Sequence, residues 1–94
     1  MNGVRITYKW SQRYRAYYID SCAGLLTFRP RGEDLTRFRD KYINQVKLLA
    51  DRAEKGEDCA GEIFRLYREI RAEYRGVRYK ANLRTRVRYC FSRR

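Results

Sequence analysis

From residue 77 the chain reads VRYKANLRTRVRYC, with Arg78, Lys80, Asn82, Arg84, Arg86 and Arg88 at alternate positions and Val77, Tyr79, Ala81, Leu83, Thr85 and Val87 between them. The opposite end repeats the pattern, Arg5, Thr7 and Lys9 alternating with Val4, Ile6, Tyr8 and Trp10. In extended chain successive side chains point to opposite faces, so each segment has one apolar and one cationic side. Arginine outnumbers lysine 18 to 5. A guanidinium makes paired hydrogen bonds to phosphate and stacks on planar rings, whereas an ammonium acts as a point charge. The chemistry within reach is therefore contact with a polyanion. A basic sheet carrying an exposed ring can also stack bases without reading sequence, and Tyr17 is the predicted ring.

Catalysis has little support. The chain contains no histidine, which removes the usual general base near neutral pH and the commonest metal ligand. A tyrosine nucleophile for DNA strand transfer would lack a helper, and no acidic cluster suggests a metal; Glu33 and Asp34 are better explained as acids at a helix start. The expectation is no catalytic residue, no metal, no cofactor and no enzyme. Cys22, Cys59 and Cys90 are odd in number and fit neither a disulfide framework nor a paired-cysteine metal knuckle. Reduced core cysteines are expected, one bridge in an oxidising setting being the alternative.

The distribution of charge sharpens the reading. The net charge is +12, and all of the excess lies at the two ends. Residues 1–19 and 74–94 contain no acid, whereas residues 20–73 hold all eleven acids and eleven bases. A face evolved only for solubility mixes its signs. The longest apolar run is four residues, 16–19, so neither a signal peptide nor a membrane span is predicted, and a soluble intracellular protein is expected.

The elements that must carry these side chains follow from periodicity. Leu35, Phe38, Tyr42, Val46, Leu49, Ala50 and Ala53 recur at spacings of three and four, predicting a helix over about 34–55 that stops at Gly56. Asp58 suits the start of a second helix over about 59–75, striped by Ala60, Ile63, Tyr67, Ile70 and Tyr74 and ended by Gly76. Strands are predicted over about 3–10, 14–20, 25–29 and 77–91, with Leu26 and Phe28 turned inward. The last would be one long strand; an arginine-rich helix is its rival, since Leu83, Val87, Cys90 and Phe91 also fit helical spacing. A three-residue turn is preferred between the first two strands, which sets Trp10 beside Tyr14, points Tyr14 and Tyr18 to the core and leaves Arg15 and Tyr17 outside.

The sum is one small α+β domain in the order β-β-β-α-α-β: an antiparallel sheet with one face on an antiparallel helical hairpin and the other face open and basic. The expected contact residues are Arg5, Lys9, Arg15, Tyr17, Arg29, Arg78, Lys80, Arg84, Arg86 and Arg88. The expected partner is nucleic acid, DNA and RNA being equally compatible, bound through phosphates with little sequence preference. The alternative is a viral or mobile-element interaction or inhibitor module that docks its basic face on an acidic protein or nucleoprotein. Self-association through the edge of the long strand is a third reading, opposed by its row of arginines.

Overall fold

Two short turns decide which side chains the sheet buries. In the computed structural model, which describes residues 6–82 and Thr85, β1 is Thr7–Ser11, β2 is Ala16–Ser21 and β3 is Gly24–Phe28. The β2–β3 link is only Cys22-Ala23, so Ile19 stands opposite Leu26 and Tyr17 opposite Phe28. Once Leu26 and Phe28 face the core, Tyr17 and Ile19 must do so too, because cross-strand partners share a face. The β1–β2 turn accommodates this with four residues, Gln12 to Arg15, pairing Trp10 with Tyr17 and Tyr8 with Ile19. Ser11 Oγ accepts the Tyr14 N–H at 3.3 Å, and Arg15 closes the turn in the left-handed region at φ 50°. This corrects the expected parity of β2. Tyr17 and Ile19 are buried, Tyr14 is exposed on the turn, and Tyr18 takes the open face.

The helical layer begins after Pro30. A continuous helical run over residues 33–54 consists of α1 (Glu33–Phe38), a π-helical turn (Arg39–Ile43) and α2 (Asn44–Glu54). Its stripe of Phe38, Tyr42, Val46, Leu49 and Ala53 is buried, as its spacing predicts. Asp58 Oδ1 accepts the Ala60 N–H at the start of α3, Ala60–Glu73. This helix buries Ile63, Phe64, Leu66, Tyr67 and Ile70. Arg52 ties the two helices together, its guanidinium donating to both Glu62 oxygens at 2.7 and 2.9 Å and to Glu57 at 3.0 Å. Gly76, at φ 78°, reverses the chain into β4, Val77–Ala81, in a conformation other residues adopt only with strain.

β4 pairs antiparallel with β3, giving a four-stranded sheet in the order β1-β2-β3-β4. The fold is α+β and its strand and helix order is the expected one. The long terminal strand is shorter than predicted: pairing ends at Ala81, and Asn82 Oδ1 accepts the N–H of Thr85, which is helical and buried. Asn82 also donates its amide to the Cys22 carbonyl, which receives the Thr85 hydroxyl at 3.4 Å. An asparagine accepting the N–H three residues on is a capping contact, so the pattern that reads as strand is interrupted there. The other predicted strand positions beyond Asn82, Arg84, Arg86 and Arg88 among them, lie outside the described residues, as does Arg5.

Between the layers Tyr67 anchors α3 to the sheet. Its buried hydroxyl is within 3.0 Å of the Ile19 carbonyl, to which it donates, and of Ser21 Oγ. Burial drives its pKa upward, so the phenol is neutral and remains a donor. No helix among the described residues is long and apolar enough to cross a membrane.

Gly24 provides the sharpest test of this packing. A Cβ there would stand 2.4 Å from the Lys80 carbonyl oxygen and 2.8 Å from Ala81 Cα, at a φ of 145°. Gly24→Ala should therefore destabilise the fold by about 3 kcal/mol, seen as a lower urea midpoint with an unchanged slope.

Candidate functional site

The open face is built from alternate residues of four strands. One row across it is Lys9, Tyr18, Thr27 and Arg78, and the neighbouring row is Thr7, Asp20, Leu25 and Lys80. Lys9, Arg78 and Lys80 are exposed here as expected; Asp20 is the one acid in these two rows. Tyr18 is half-buried in the centre, where its ring presents the aromatic surface that the sequence reading assigned to Tyr17. Tyr17 itself is packed at tilted angles between Trp10, at 4.7 Å, and Phe38, at 4.9 Å, on the helix-covered side. Burial raises its phenol pKa, with Arg39 acting against that.

At the end of this face where β3 leaves and β4 enters, a cleft of about 770 Å³ opens. Five arginines line it: Arg29 after β3, Arg31 in the following loop, Arg37 on α1, and Arg75 and Arg78 at the entry to β4. Only Arg29 and Arg78 were expected at the site. Arg31, Arg37 and Arg75 were missed because they stand in loops and on a helix, outside any alternating pattern. The signal that could have found Arg31 and Arg75 is the clustering of RPRG and YRGVR beside the two glycines that turn the chain; Arg37 carries no such mark.

Two carboxylates also reach this cleft, and both have partners. Asp34 lies 3.7 Å from Arg37, which is also 3.9 Å from Glu33. Glu73 accepts Lys41 Nζ at 2.7 Å and the Tyr42 hydroxyl at 2.5 Å. Those two bonds, the lysine's first, hold the Glu73 carboxyl below its usual range. Tyr42 is pushed up to about 12 by burial and then by its bond to Glu73. The buried Tyr74 hydroxyl lies near the same carboxylate without reaching hydrogen-bond geometry, and burial raises its pKa as well. Arg29, Arg31, Arg75 and Arg78 have no ion pair among the described residues. The cleft therefore has four guanidinium groups without a counter-ion beside two carboxylates that are already engaged.

Arg15, the remaining predicted contact, is on the β1–β2 turn and lines a second cleft on the helix side of β1, with Tyr8, Lys9, Trp10 and Arg39. The structure thus divides the described members of the predicted set. Lys9, Arg29, Arg78 and Lys80 belong to the open face, Arg15 to the turn, and Tyr17 to the core. Among the described residues no group of three or more metal-binding side chains comes together. Cys22 and Cys59 are free thiols, each raised in pKa chiefly by burial.

Comparison with family models, with curated proteins and with solved structures finds no match to this chain.

The Lys41–Glu73–Tyr42 contact gives a pH test. A carboxyl held low in the fold contributes stability above its unfolded pKa of about 4.3 and loses it as pH falls through the lowered folded value. Wild type should lose stability on acidification below about pH 5, and Glu73→Gln should make that decline shallower in urea titrations between pH 3 and 7.

Proposed function

We propose that this protein binds nucleic acid through its open sheet face and the arginine cleft at its end, gripping phosphates and adding little sequence selection. The observation that carries the reading is the set of uncompensated guanidiniums of Arg29, Arg31, Arg75 and Arg78 around one concavity. Separated cations without partners raise the energy of the free protein through mutual repulsion, and an anion with several charges in a row relieves it at all of them together. Lys9 and Lys80 extend the positive surface across the sheet, and Tyr18 supplies a ring between them and the cleft. Guanidiniums suit phosphate because two parallel hydrogen bonds fix its orientation.

Phosphate contacts have a thermodynamic signature, since each releases condensed counter-ions and steepens the salt dependence. With about six phosphates neutralised, log K against log salt should have a slope near −5 on duplex DNA and near −4 on single strands. The quadruple variant Arg29→Ala, Arg31→Ala, Arg75→Ala, Arg78→Ala replaces only exposed side chains, so the fold should persist. Its slope should be shallower by about 3, with affinity reduced alike for different sequences. Unchanged affinity and slope in that variant would exclude the cleft. Uniformly weak wild-type binding to every DNA and RNA form, with a protein retained after nuclease treatment in pull-downs, would instead indicate docking on an acidic protein.

A further inference from the structure

The helix-side face of β1 is only partly covered by the helices. Tyr8 is 36% exposed although its cross-strand partner Ile19 is wholly buried, and Trp10 is only half-buried while its partner Tyr17 is in the core. Between β1 and the helical run is a cleft of about 720 Å³, within the size range of small-ligand pockets. One wall is aromatic, with Tyr8, Trp10 and Tyr17; the other is Leu35, Arg39 and Ile43, one side of the helical run at four-residue spacing. Lys9 and Arg15 complete the rim. No acid lines this cleft, and Lys9, Arg15 and Arg39 make no ion pair among the described residues.

We infer that this cleft holds an unpaired nucleobase against Trp10, with Arg15 and Arg39 on the flanking phosphates, so that the nucleic acid bound is single-stranded. The inference rests on the function proposed above and narrows it. Charge complementarity selects an anion, but an anion alone would not need an apolar, aromatic wall. A phosphate-linked base supplies both parts: a planar face for the indole and a negative charge for each guanidinium. In a duplex both faces of a base are already stacked on its neighbours, so a recessed ring is reached only by a base that has left the stack. The two clefts lie on either side of the start of the helical run, Asp34 and Arg37 lining one and Leu35 and Arg39 the other. A flexible single strand can follow that path around the helix start, whereas a stiff duplex cannot.

Trp10 is the sole tryptophan, so its emission reports on this cleft directly. The protein is titrated with an oligodeoxythymidylate of about eight nucleotides, within the usual single-strand site size, and with an abasic oligomer of the same length and charge. Binding is followed separately through an end label. The thymidylate should quench Trp10 and bind about tenfold more tightly than the abasic oligomer, which should leave the emission unchanged. Arg39→Ala should weaken binding of both about equally. Equal affinity and equal emission changes for the two oligomers would overturn the inference while leaving phosphate binding intact. Failure of both oligomers to bind while duplex DNA still binds would overturn the inference and leave the parent reading standing; failure of duplex and single strands alike would remove both.

Discussion

The ring of Phe38 is the contact on which the two layers depend. It touches Tyr17 at 4.9 Å and Phe28 at 5.0 Å from the sheet, Tyr42 at 5.5 Å from its own helical run and Tyr74 at 5.9 Å from the end of α3. Aromatic rings packed at tilted and edge-on angles gain more than their buried area alone supplies. In a chain whose aliphatic content is low, that cluster takes the place of a larger leucine and isoleucine core. It also fixes the faces of the sheet. With Tyr17 held under Phe38, Tyr18 must stand on the other side, and Trp10 is left half-covered at the margin where the helices end.

The electrostatics follow a simple division. The carboxylates nearest the basic cleft are matched with cations on the helices, Glu73 with Lys41, and Glu33 and Asp34 with Arg37, while Arg52 holds Glu62 and the linking Glu57 at the other end. Exposed pairs of this kind contribute little stability. Their consequence here is to neutralise the acids close to the basic cleft, so that the arginines on the sheet and its loops are not satisfied from within the molecule. The acid-free ends of the sequence become a structural asymmetry, one layer internally balanced and the other positive.

Much of this was legible in the residues themselves. The helical stripes at three and four, the stops at Gly56 and Gly76, and inward Leu26 and Phe28 all follow from local periodicity, and each is present in the fold. The face of β2 was not, because RYRAYYID alternates acceptably in either parity. What resolves it is the two-residue Cys22-Ala23 turn, a constraint from the neighbouring strand. The end of β4 was hidden for a different reason: Asn82 continues the even-numbered polar pattern while its side chain bonds to Cys22 and Thr85, contacts about sixty residues and three residues away. Periodicity likewise found Arg29 and Arg78, but had no means of finding Arg31, Arg37 and Arg75, which join them through the tertiary arrangement of a loop, a helix and a turn.

The sheet order also sets three local strands beside one distant one. β1, β2 and β3 pair through short turns, but β4 reaches β3 across the whole helical hairpin, Phe28 meeting Val77 about fifty residues on. Closing so large a loop costs entropy that local hairpins do not incur. Gly24 makes the step sterically exacting, since the backbone of β4 must settle against it without a side chain between. Arg78 and Lys80 arrive with that strand, and Arg75 with the turn before it. The cationic concavity therefore exists only where β4 is docked on β3: the chain carries its net charge of +12 in any state, but the convergence of Arg29, Arg75 and Arg78 on one cleft depends on that edge being closed.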